Sequence, residues 1–169
     1  MMEVEPGTYI MANAGYLITT IIDKKQTGPD GFHFLVLDGG MEVNVRPLLY
    51  GSRHPFYIVS QKGTLISSEF DPDNGEKKDM FIVVGRCCES GDSQTLDSRH
   101  HILPRVMTTP AIGDYLIIGG TGAYCASMTP FNYNSHTQAP ELLFRQNGSI
   151  RLIRKEQTLE QITQNECSL

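Results

Sequence analysis

The sequence lacks long apolar runs, a leader-like start and any regular cysteine spacing. No run approaches the roughly 18 apolar residues that a bilayer-spanning helix needs, and the opening MMEVEPG has neither a basic start nor an apolar core. The four cysteines, Cys87, Cys88, Cys125 and Cys167, form no C-x-x-C pair, and neighbouring cysteines are poorly placed to bridge each other. We therefore expect a cytoplasmic chain with reduced thiols and no membrane partner.

Positive charge is also scarce, and it is not clustered. The 169 residues carry a net charge of -5 without a Lys/Arg-rich stretch, which argues against a nucleic-acid partner. The composition, 40% hydrophobic and 20% charged, is that of a globular domain with a proper core. At this length we expect one domain rather than two.

Short apolar and β-branched runs recur along the chain with turn residues between them. The runs are TYIMA (8–12), YLITTIID (16–23), FHFLVLD (32–38), FYIVS (56–60), MFIVVG (80–85), DYLIIG (114–119), ELLFR (141–145) and SIRLI (149–153). Gly, Pro, Asn and Asp mark turns at 27–31, 71–79, 111–114 and 146–148. This spacing predicts a mainly β sandwich or barrel, with the clearest hairpin at 141–154.

The tail carries the clearest helix prediction. Thr158 and Gln161 match a capping box, and Leu159 and Ile162 fall three residues apart on one face. A second, shorter helical turn is predicted within 43–51, broken by Pro47.

The stretch CCESGD (87–92) puts a thiol beside a carboxylate directly after an apolar run. A thiol with an ordinary pKa of about 8.5 stays mostly protonated at pH 7, so it can donate a proton, while the carboxylate can contact an amine. The alternative is a strand end with buried cysteines, a solvated Glu89 and a turn. The spacing alone favours this alternative.

Two other patterns also have a functional and a structural interpretation. Arg46 and Tyr50 in RPLLYG would point the same way on a helical turn, where Arg46 could grip a carboxylate, although a surface salt bridge is the commoner outcome. The glycine-rich GGTGAYCASM (119–128) lacks the lysine of a phosphate loop and is weak support for phosphate binding.

A zinc site can be considered at the paired histidines and cysteines. His100 and His101 could join Cys87 and Cys88 around the ion, but neither adjacent histidines nor adjacent cysteines have the usual chelating spacing. We therefore expect no metal site.

Six blocks occur in one order along the chain and together resemble a known family. They are EPGTYIMANAGYLIT, LDGGMEVNVRPLLYGSRHP, VVGRCCESGD, GDYLIIGGTGAYCASM, FNYNSHTQAPELLF and IRLIRKEQTLEQI. The series resembles the C-terminal domain of diaminopimelate decarboxylases, from Glu5 to Ile162. Six ordered blocks are far more specific than any one motif.

The resemblance implies a two-domain enzyme. In that family an N-terminal β/α barrel carries pyridoxal phosphate on a lysine, and a Greek-key-like β-barrel or sandwich similar to that of alanine racemases follows, with a short C-terminal helix. Residues 1–169 are expected to be that second domain alone, with residues 1–12 as the tail end of the missing barrel. The implied partners are that barrel, a second copy in a homodimer and an amino-acid substrate.

The resemblance also implies roles for individual residues. Cys88 matches the acid that protonates the α-carbon, and Glu89 matches the contact for the substrate's distal ammonium, both reaching into the partner subunit's active site. Arg46 and Tyr50 match residues that hold the distal carboxylate. Tyr124 matches a tyrosine that contacts both cofactor and substrate.

The first block implies cofactor contacts and contains one departure from the family. Glu5 matches the acid that pairs with the pyridine nitrogen of pyridoxal phosphate, and Gly7 and Thr8 fall on adjoining cofactor-binding positions. The family's EPGR is EPGT here, so Thr8 stands where an arginine is expected, and a hydroxyl cannot neutralise an anion.

The function implied is conversion of meso-diaminopimelate to L-lysine and CO₂. The departure at Thr8 keeps a sister decarboxylase of the lysine, ornithine or glutamate type open as an alternative. A non-catalytic binding or dimerisation module without a barrel is the other alternative. Under each interpretation the isolated chain is expected to be inactive, because it lacks the lysine that anchors the cofactor.

Overall fold

The computed structural model describes residues 1–70 and 77–167, which fold mainly into strands. The strands are β1 (Tyr16–Gln26), β2 (His33–Leu37), β3 (Phe56–Val59), β4 (Leu65–Ser68), β5 (Lys78–Val84), β6 (Arg105–Thr108), β7 (Tyr115–Gly119), β8 (Glu141–Phe144) and β9 (Ile150–Arg154). The helices are α1 (Gly7–Met11), α2 (Arg46–Tyr50), α3 (Cys125–Met128) and α4 (Leu159–Thr163), with short 3₁₀ segments at Ala12–Ala14 and Tyr133–Ser135.

Seven strands form one sheet in the order β4-β3-β7-β1-β2-β5-β6. The long strand β1 joins the two halves of this sheet, because residues 16–20 pair with β7 and residues 21–26 pair with β2. Its register shifts between Ile21 and Asp23, and a bulge of this kind bends a strand and increases its twist. Neighbouring strands are antiparallel except for β2 and β5, which are parallel.

The sheet curls until its edge strands β4 and β6 nearly meet, which makes the domain barrel-like. The backbone N–H of Thr108 on β6 donates to the hydroxyl of Ser67 on β4 at 3.2 Å. Just beyond β4, the Glu69 carboxylate accepts from the Arg105 guanidinium at 2.6 Å, and the Arg105 side chain is only 3% exposed. Because a buried charge without its partner is costly, this ion pair ties the two edges together.

Ten buried side chains from six strands fill the interior. They are Ile21, Leu35, Leu37, Phe56, Ile58, Phe81, Val83, Met107, Leu116 and Ile118. Within β2, β3, β5 and β7 they lie two residues apart, which is the spacing at which a strand presents successive side chains to one face. The alternation in the apolar runs therefore builds the core.

The predicted mainly β fold with a short C-terminal helix is confirmed. The hairpin at 141–154 forms as β8 and β9, which pair antiparallel as a separate two-stranded sheet. Helix α4 begins at the predicted capping box, in which Thr158 and Gln161 exchange hydrogen bonds. Among the described residues, no helix has the length and hydrophobicity that a membrane crossing demands.

Two local predictions are wrong. The run at 8–12, predicted as a strand, lies largely in helix α1, which begins after Pro6 and closes with a hydrogen bond from the Ile10 N–H to the Pro6 carbonyl at 3.1 Å. Pro47 does not break α2, because it lies in the first turn, where a proline lacks only an N–H that the helix does not use.

Two strands, β4 and β6, were not predicted at all. Their sequences, LISS and RVMT, are short and half polar, so the apolar-run criterion misses them. The predicted turn at 71–79 falls largely outside the described residues, since 71–76 are not among them.

Candidate functional site

Arg46 is the first residue of α2, and its guanidinium lies over two tyrosine rings. The Arg46 Cζ atom is 5.1 Å from the ring centroid of Tyr50 and 5.5 Å from that of Tyr124. A cation over the face of an aromatic ring is attracted by the ring's quadrupole, so the two rings help to hold the guanidinium. Arg46 and Tyr50 do point the same way, as predicted, and Tyr124 joins them. We call these three residues the arginine cluster.

Among the described residues, no carboxylate neutralises Arg46. Within residues 1–70 and 77–167, no Asp or Glu lies at ion-pair distance from it, and its side-chain hydrogen-bond partner is the Met128 sulfur at 3.9 Å. Burial lowers the pKa of His54, whose Nδ1 lies 2.9 Å from the Gly119 carbonyl oxygen, so this histidine adds no second charge at pH 7. A half-buried guanidinium without an anion is suited to bind a carboxylate or phosphate from outside.

Tyr124 connects the arginine cluster to the amino-terminal segment. Its backbone is left-handed, with φ 65°, which is uncommon for a residue with a bulky side chain. Its hydroxyl lies so close to Gly7 that a Cβ atom on Gly7 would meet it at 2.5 Å. Backbone hydrogen bonds from 121–122 to 12–15 hold the two segments together. The predicted cofactor-binding segment 5–8 therefore lies beside Tyr124.

The turn at 85–92 separates the two adjacent cysteines. The Cys87 thiol is half-buried and donates to the Glu42 carboxylate at 3.3 Å, whereas Cys88 is exposed. Burial, followed by the nearby negative charge of Glu42, raises the pKa of Cys87 to about 12. Cys87 is therefore a protonated thiol held inside the domain, and Cys88 is the outward-facing one.

Cys88 and Glu89 form the exposed tip of this turn. The Cys88 N–H donates to the Asn134 side-chain oxygen at 2.8 Å. The Glu89 carboxylate accepts hydrogen bonds from the Gly91 N–H at 3.2 Å, from a neighbouring serine hydroxyl, and from the Tyr133 hydroxyl at 3.2 Å. These bonds, led by that of the Gly91 N–H, hold the pKa of Glu89 below its ordinary value. The tip therefore presents an exposed thiol beside a fixed anion.

The structure divides the predicted residues into two groups. The arginine cluster and the segment 5–8 form one group, and Cys88 and Glu89 form the other. In the part of the chain that the structure describes, no hydrogen bond, ion pair or ring contact joins the two groups. Within one chain these residues therefore do not form a single closed site.

Potential metal ligands meet in a combination that differs from the one considered from the sequence. His101 pairs with a nearby aspartate at 3.4 Å instead of approaching the cysteines. Among the described residues, one group of three has its ligand atoms within 4.8 Å of one another, namely Glu42, Cys87 and His136. The Arg86 guanidinium lies 3.5 Å from the Glu42 carboxylate, so the charge of this carboxylate is balanced without a metal ion.

Three residues that support the turn were not predicted. Tyr133 and Asn134 contact it from the 3₁₀ segment Tyr133–Ser135, and Asp92 lies buried at its base. A signal for the first two exists in FNYNS, because Asn132 and Asn134 adopt left-handed backbone angles, φ 61° and 50°, which asparagine tolerates better than most residues. Asp92 belongs to the CCESGD motif, but a Ser-Gly-Asp turn does not by itself predict burial.

Comparison with known proteins identifies one family. The model of the pyridoxal-dependent decarboxylase C-terminal sheet domain matches residues 8–122. The diaminopimelate decarboxylase of Escherichia coli K12 is 39% identical over 161 residues, which are 95% of this chain and 36% of that protein. The chain thus spans little more than a third of the length of this relative.

Solved structures give the same result. A crystal structure of a diaminopimelate decarboxylase has a TM-score of 0.84 and 36% identity, over 95% of this chain and 35% of that one. The Helicobacter pylori diaminopimelate decarboxylase, crystallised in complex with L-lysine, has a TM-score of 0.75 and 29% identity, over 96% of this chain and 34% of that one.

Proposed function

Because the chain belongs to the pyridoxal-dependent decarboxylases, as their C-terminal sheet domain, we propose that it serves an enzyme that converts meso-diaminopimelate to L-lysine and CO₂. In this proposal residues 1–169 are the C-terminal domain of a longer protein, and an N-terminal β/α barrel holds the cofactor on a lysine. The similarity to diaminopimelate decarboxylases over 95% of the chain supports this substrate.

The observation that carries the proposal is the arginine cluster. Diaminopimelate differs from lysine by a second, distal carboxylate, so a diaminopimelate site needs a cation for it. Arg46 can bind a carboxylate through two parallel N–H bonds, and no anion among the described residues competes for it. The rings of Tyr50 and Tyr124, with centroids 5.1 and 5.5 Å from the Arg46 Cζ atom, help to hold the guanidinium in place. A substrate without the distal carboxylate would leave the half-buried Arg46 guanidinium unpaired, which costs affinity relative to diaminopimelate.

The tip of the turn supplies the remaining two functions. Cys88 donates its thiol proton to the substrate's α-carbon after CO₂ leaves, and solvent reprotonates the resulting thiolate. Glu89 accepts a charge-assisted hydrogen bond from the distal ammonium. Cys87 is unsuited to the first role, because its thiol points inward to Glu42 and its pKa is raised to about 12.

The segment 5–8 fits a pyridoxal cofactor in part. Pyridoxal phosphate supplies an electron sink for the negative charge that decarboxylation leaves on the α-carbon. Glu5 is exposed and would pair with the ring nitrogen, while Gly7 keeps the backbone close to Tyr124, which would contact the ring. Thr8 is exposed and can donate one hydrogen bond to phosphate without neutralising it. The barrel must therefore supply the cationic contacts that the family's arginine would make.

The separation of the two groups supports a homodimer in which each active site takes residues from both subunits. In such a dimer Cys88 and Glu89 of one protomer reach the arginine cluster of its partner. The test is to mix two inactive variants of the complete protein, Arg46→Ala and Cys88→Ser, under conditions of subunit exchange. One of the two sites in each mixed dimer is then intact, so about a quarter of the wild-type activity returns. If both groups of a site came from one subunit, no activity would return.

The substrate assignment is tested with the complete protein and pyridoxal phosphate. CO₂ release is measured from meso-diaminopimelate, L-lysine, L-ornithine and L-glutamate. We expect turnover of meso-diaminopimelate alone. A rate confined to one of the other three would refute this substrate and support a sister decarboxylase, and no rate with any of them would support a binding or dimerisation module.

A further inference from the structure

The turn that presents Cys88 and Glu89 is anchored by one buried carboxylate. The Asp92 side chain lies at its base and is 4% exposed. One carboxylate oxygen accepts the N–H of Cys87 at 2.8 Å, and the other accepts the N–H of Met41 at 2.7 Å. Asp92 thus ties the start of the turn to the segment that follows β2.

Two glycines leave room for this carboxylate. A Cβ atom on Gly40 would lie 2.1 Å from one Asp92 oxygen, and a Cβ atom on Gly85 would lie 2.4 Å from the other. No real side chain could occupy either position without moving the carboxylate. The local backbone is therefore shaped around Asp92.

The same turn is closed by its own backbone and supported at its tip. The Gly85 N–H donates to the Asp92 carbonyl at 3.1 Å, and the Asp92 N–H donates to the Glu89 carbonyl at 3.1 Å. At the opposite end, the Asn134 side chain accepts the Cys88 N–H at 2.8 Å. Cys88 and Glu89, which must reach a substrate, therefore project from a turn whose base is held in place by Asp92.

We propose that Asp92 is a positioning residue for decarboxylation, fixing Cys88 and Glu89 where the partner subunit's substrate needs them. Asp92 acts through the backbone of the turn and touches neither substrate nor cofactor. This inference rests on the proposed function, since it assumes that Cys88 and Glu89 act on a bound amino acid.

The chain contains a matched control for Asp92. Asp114 is 6% exposed, and its two oxygens accept the backbone N–H groups of Gln61 at 3.2 Å and Ala111 at 2.8 Å. An asparagine at either position keeps the shape but turns one acceptor into a donor that faces an N–H. Asp92→Asn and Asp114→Asn should therefore cost similar stability, and only the first should disturb the turn.

The experiment compares both variants in the complete protein with pyridoxal phosphate. We expect similar decreases in Tm, but kcat about tenfold lower or more and a higher KM for meso-diaminopimelate only in Asp92→Asn, because misplaced reacting groups lose rate steeply. The kcat and KM of Asp114→Asn should stay within about twofold of wild type, because Asp114 shares no hydrogen-bond partner with the turn and such separate sites act independently. Asp92→Ser is a second variant that adds no amide donor, but its hydroxyl ends one bond short of both carboxylate oxygens, so it should lower kcat at least as much as Asp92→Asn.

Equal kcat and KM in both asparagine variants would overturn the proposal. Failure of both Asp92 variants to fold would also overturn it, because Asp92 would then serve the fold as a whole. The rate at which iodoacetamide alkylates Cys88, read by peptide mass spectrometry, gives a second readout that needs no turnover. If the wild type decarboxylates nothing yet Cys88 alkylation changes only in Asp92→Asn, the proposed function fails while the anchoring of the turn stands.

Discussion

Replacing Arg46 with lysine tests how the distal carboxylate is held. Lysine keeps the positive charge but loses the planar fork, so one of two parallel hydrogen bonds disappears. A charge-assisted hydrogen bond contributes about 1.5–3 kcal/mol, and weakened contact with each tyrosine ring costs about 0.5–1 kcal/mol. With two rings the loss should be about 2.5–5 kcal/mol, which lowers kcat/KM about 70- to 5,000-fold.

The assay is steady-state CO₂ release from meso-diaminopimelate by the complete protein. The distal carboxylate is bound equally in the ground state and the transition state, so the change should appear mainly as a higher KM. Arg53→Lys is the control, because Arg53 is exposed and pairs with Glu69 at 3.3 Å on the barrel edge. Its kinetic constants should match those of the wild type.

Two results would refute the reasoning about Arg46. An unchanged KM in Arg46→Lys would mean that the guanidinium does not hold substrate. A lower kcat with the wild-type KM would mean that Arg46 acts only in the transition state, at the reacting carbon rather than at the distal one.

Three further predictions follow from single contacts. Iodoacetamide at pH 8.5 should label Cys88 and spare Cys87, whose pKa is raised to about 12, as read by peptide mass spectrometry. Glu69→Ala should lower the free energy of unfolding by about 3–5 kcal/mol in urea denaturation, because it leaves a buried guanidinium unpaired. Tyr133→Phe removes a hydrogen bond that favours the Glu89 anion, so the pKa of Glu89 rises and the acidic limb of the pH profile of KM moves to higher pH.

Each of these predictions has a control and a contradicting result. Cys125 is buried and its pKa is raised by that burial, so it too should resist alkylation, and equal labelling of all thiols would contradict the inward orientation of Cys87. Glu141→Ala breaks an exposed pair with Arg154 and should cost less than about 1 kcal/mol. Tyr9→Phe changes an exposed ring and should leave the pH profile unchanged. An unchanged profile in Tyr133→Phe would mean that Tyr133 does not lower the pKa of Glu89.

The sequence predicted five of the six strands that supply the core, and it missed β4 and β6, the two edge strands. Runs such as FHFLVLD and DYLIIG are apolar at successive positions because most residues on both faces of their strands are buried or half-buried. The edge strands LISS and RVMT face solvent on one side and carry polar residues, so no apolar run marks them. TYIMA has the composition of a strand but no sheet partner, and pairing with a neighbour decides strand formation more than propensity does.

The resemblance predicts which residues form the candidate site, but it does not predict how they are arranged. Arg46 and Tyr124 lie on segments far apart in the sequence, so their stacking depends on the packing of α2 against the loop before α3. The support from Tyr133, Asn134 and Asp92 depends likewise on contacts that no spacing rule contains. Local sequence patterns predict which residue types lie on which face of a strand or helix. Contacts between distant loops can be seen only in the folded domain.

Cys87 faces into the domain and Cys88 faces solvent. This difference explains why the two residues lie in a rigid turn rather than at a strand end. A strand would also send its neighbours to opposite faces, but both faces are buried near the end of β5, at Ile82 and Val83, and burial raises a thiol's pKa. After Gly85 the chain leaves the sheet, Cys87 turns back to Glu42, and Cys88 stays exposed. In the proposed dimer Cys88 enters the partner subunit's site, and an exposed residue that does so loses conformational entropy at each encounter unless it is already fixed. The hydrogen bonds that Asp92 and Asn134 accept from the backbone of the turn would fix Cys88 in advance, which accounts for the buried carboxylate beneath the turn in the proposed dimer.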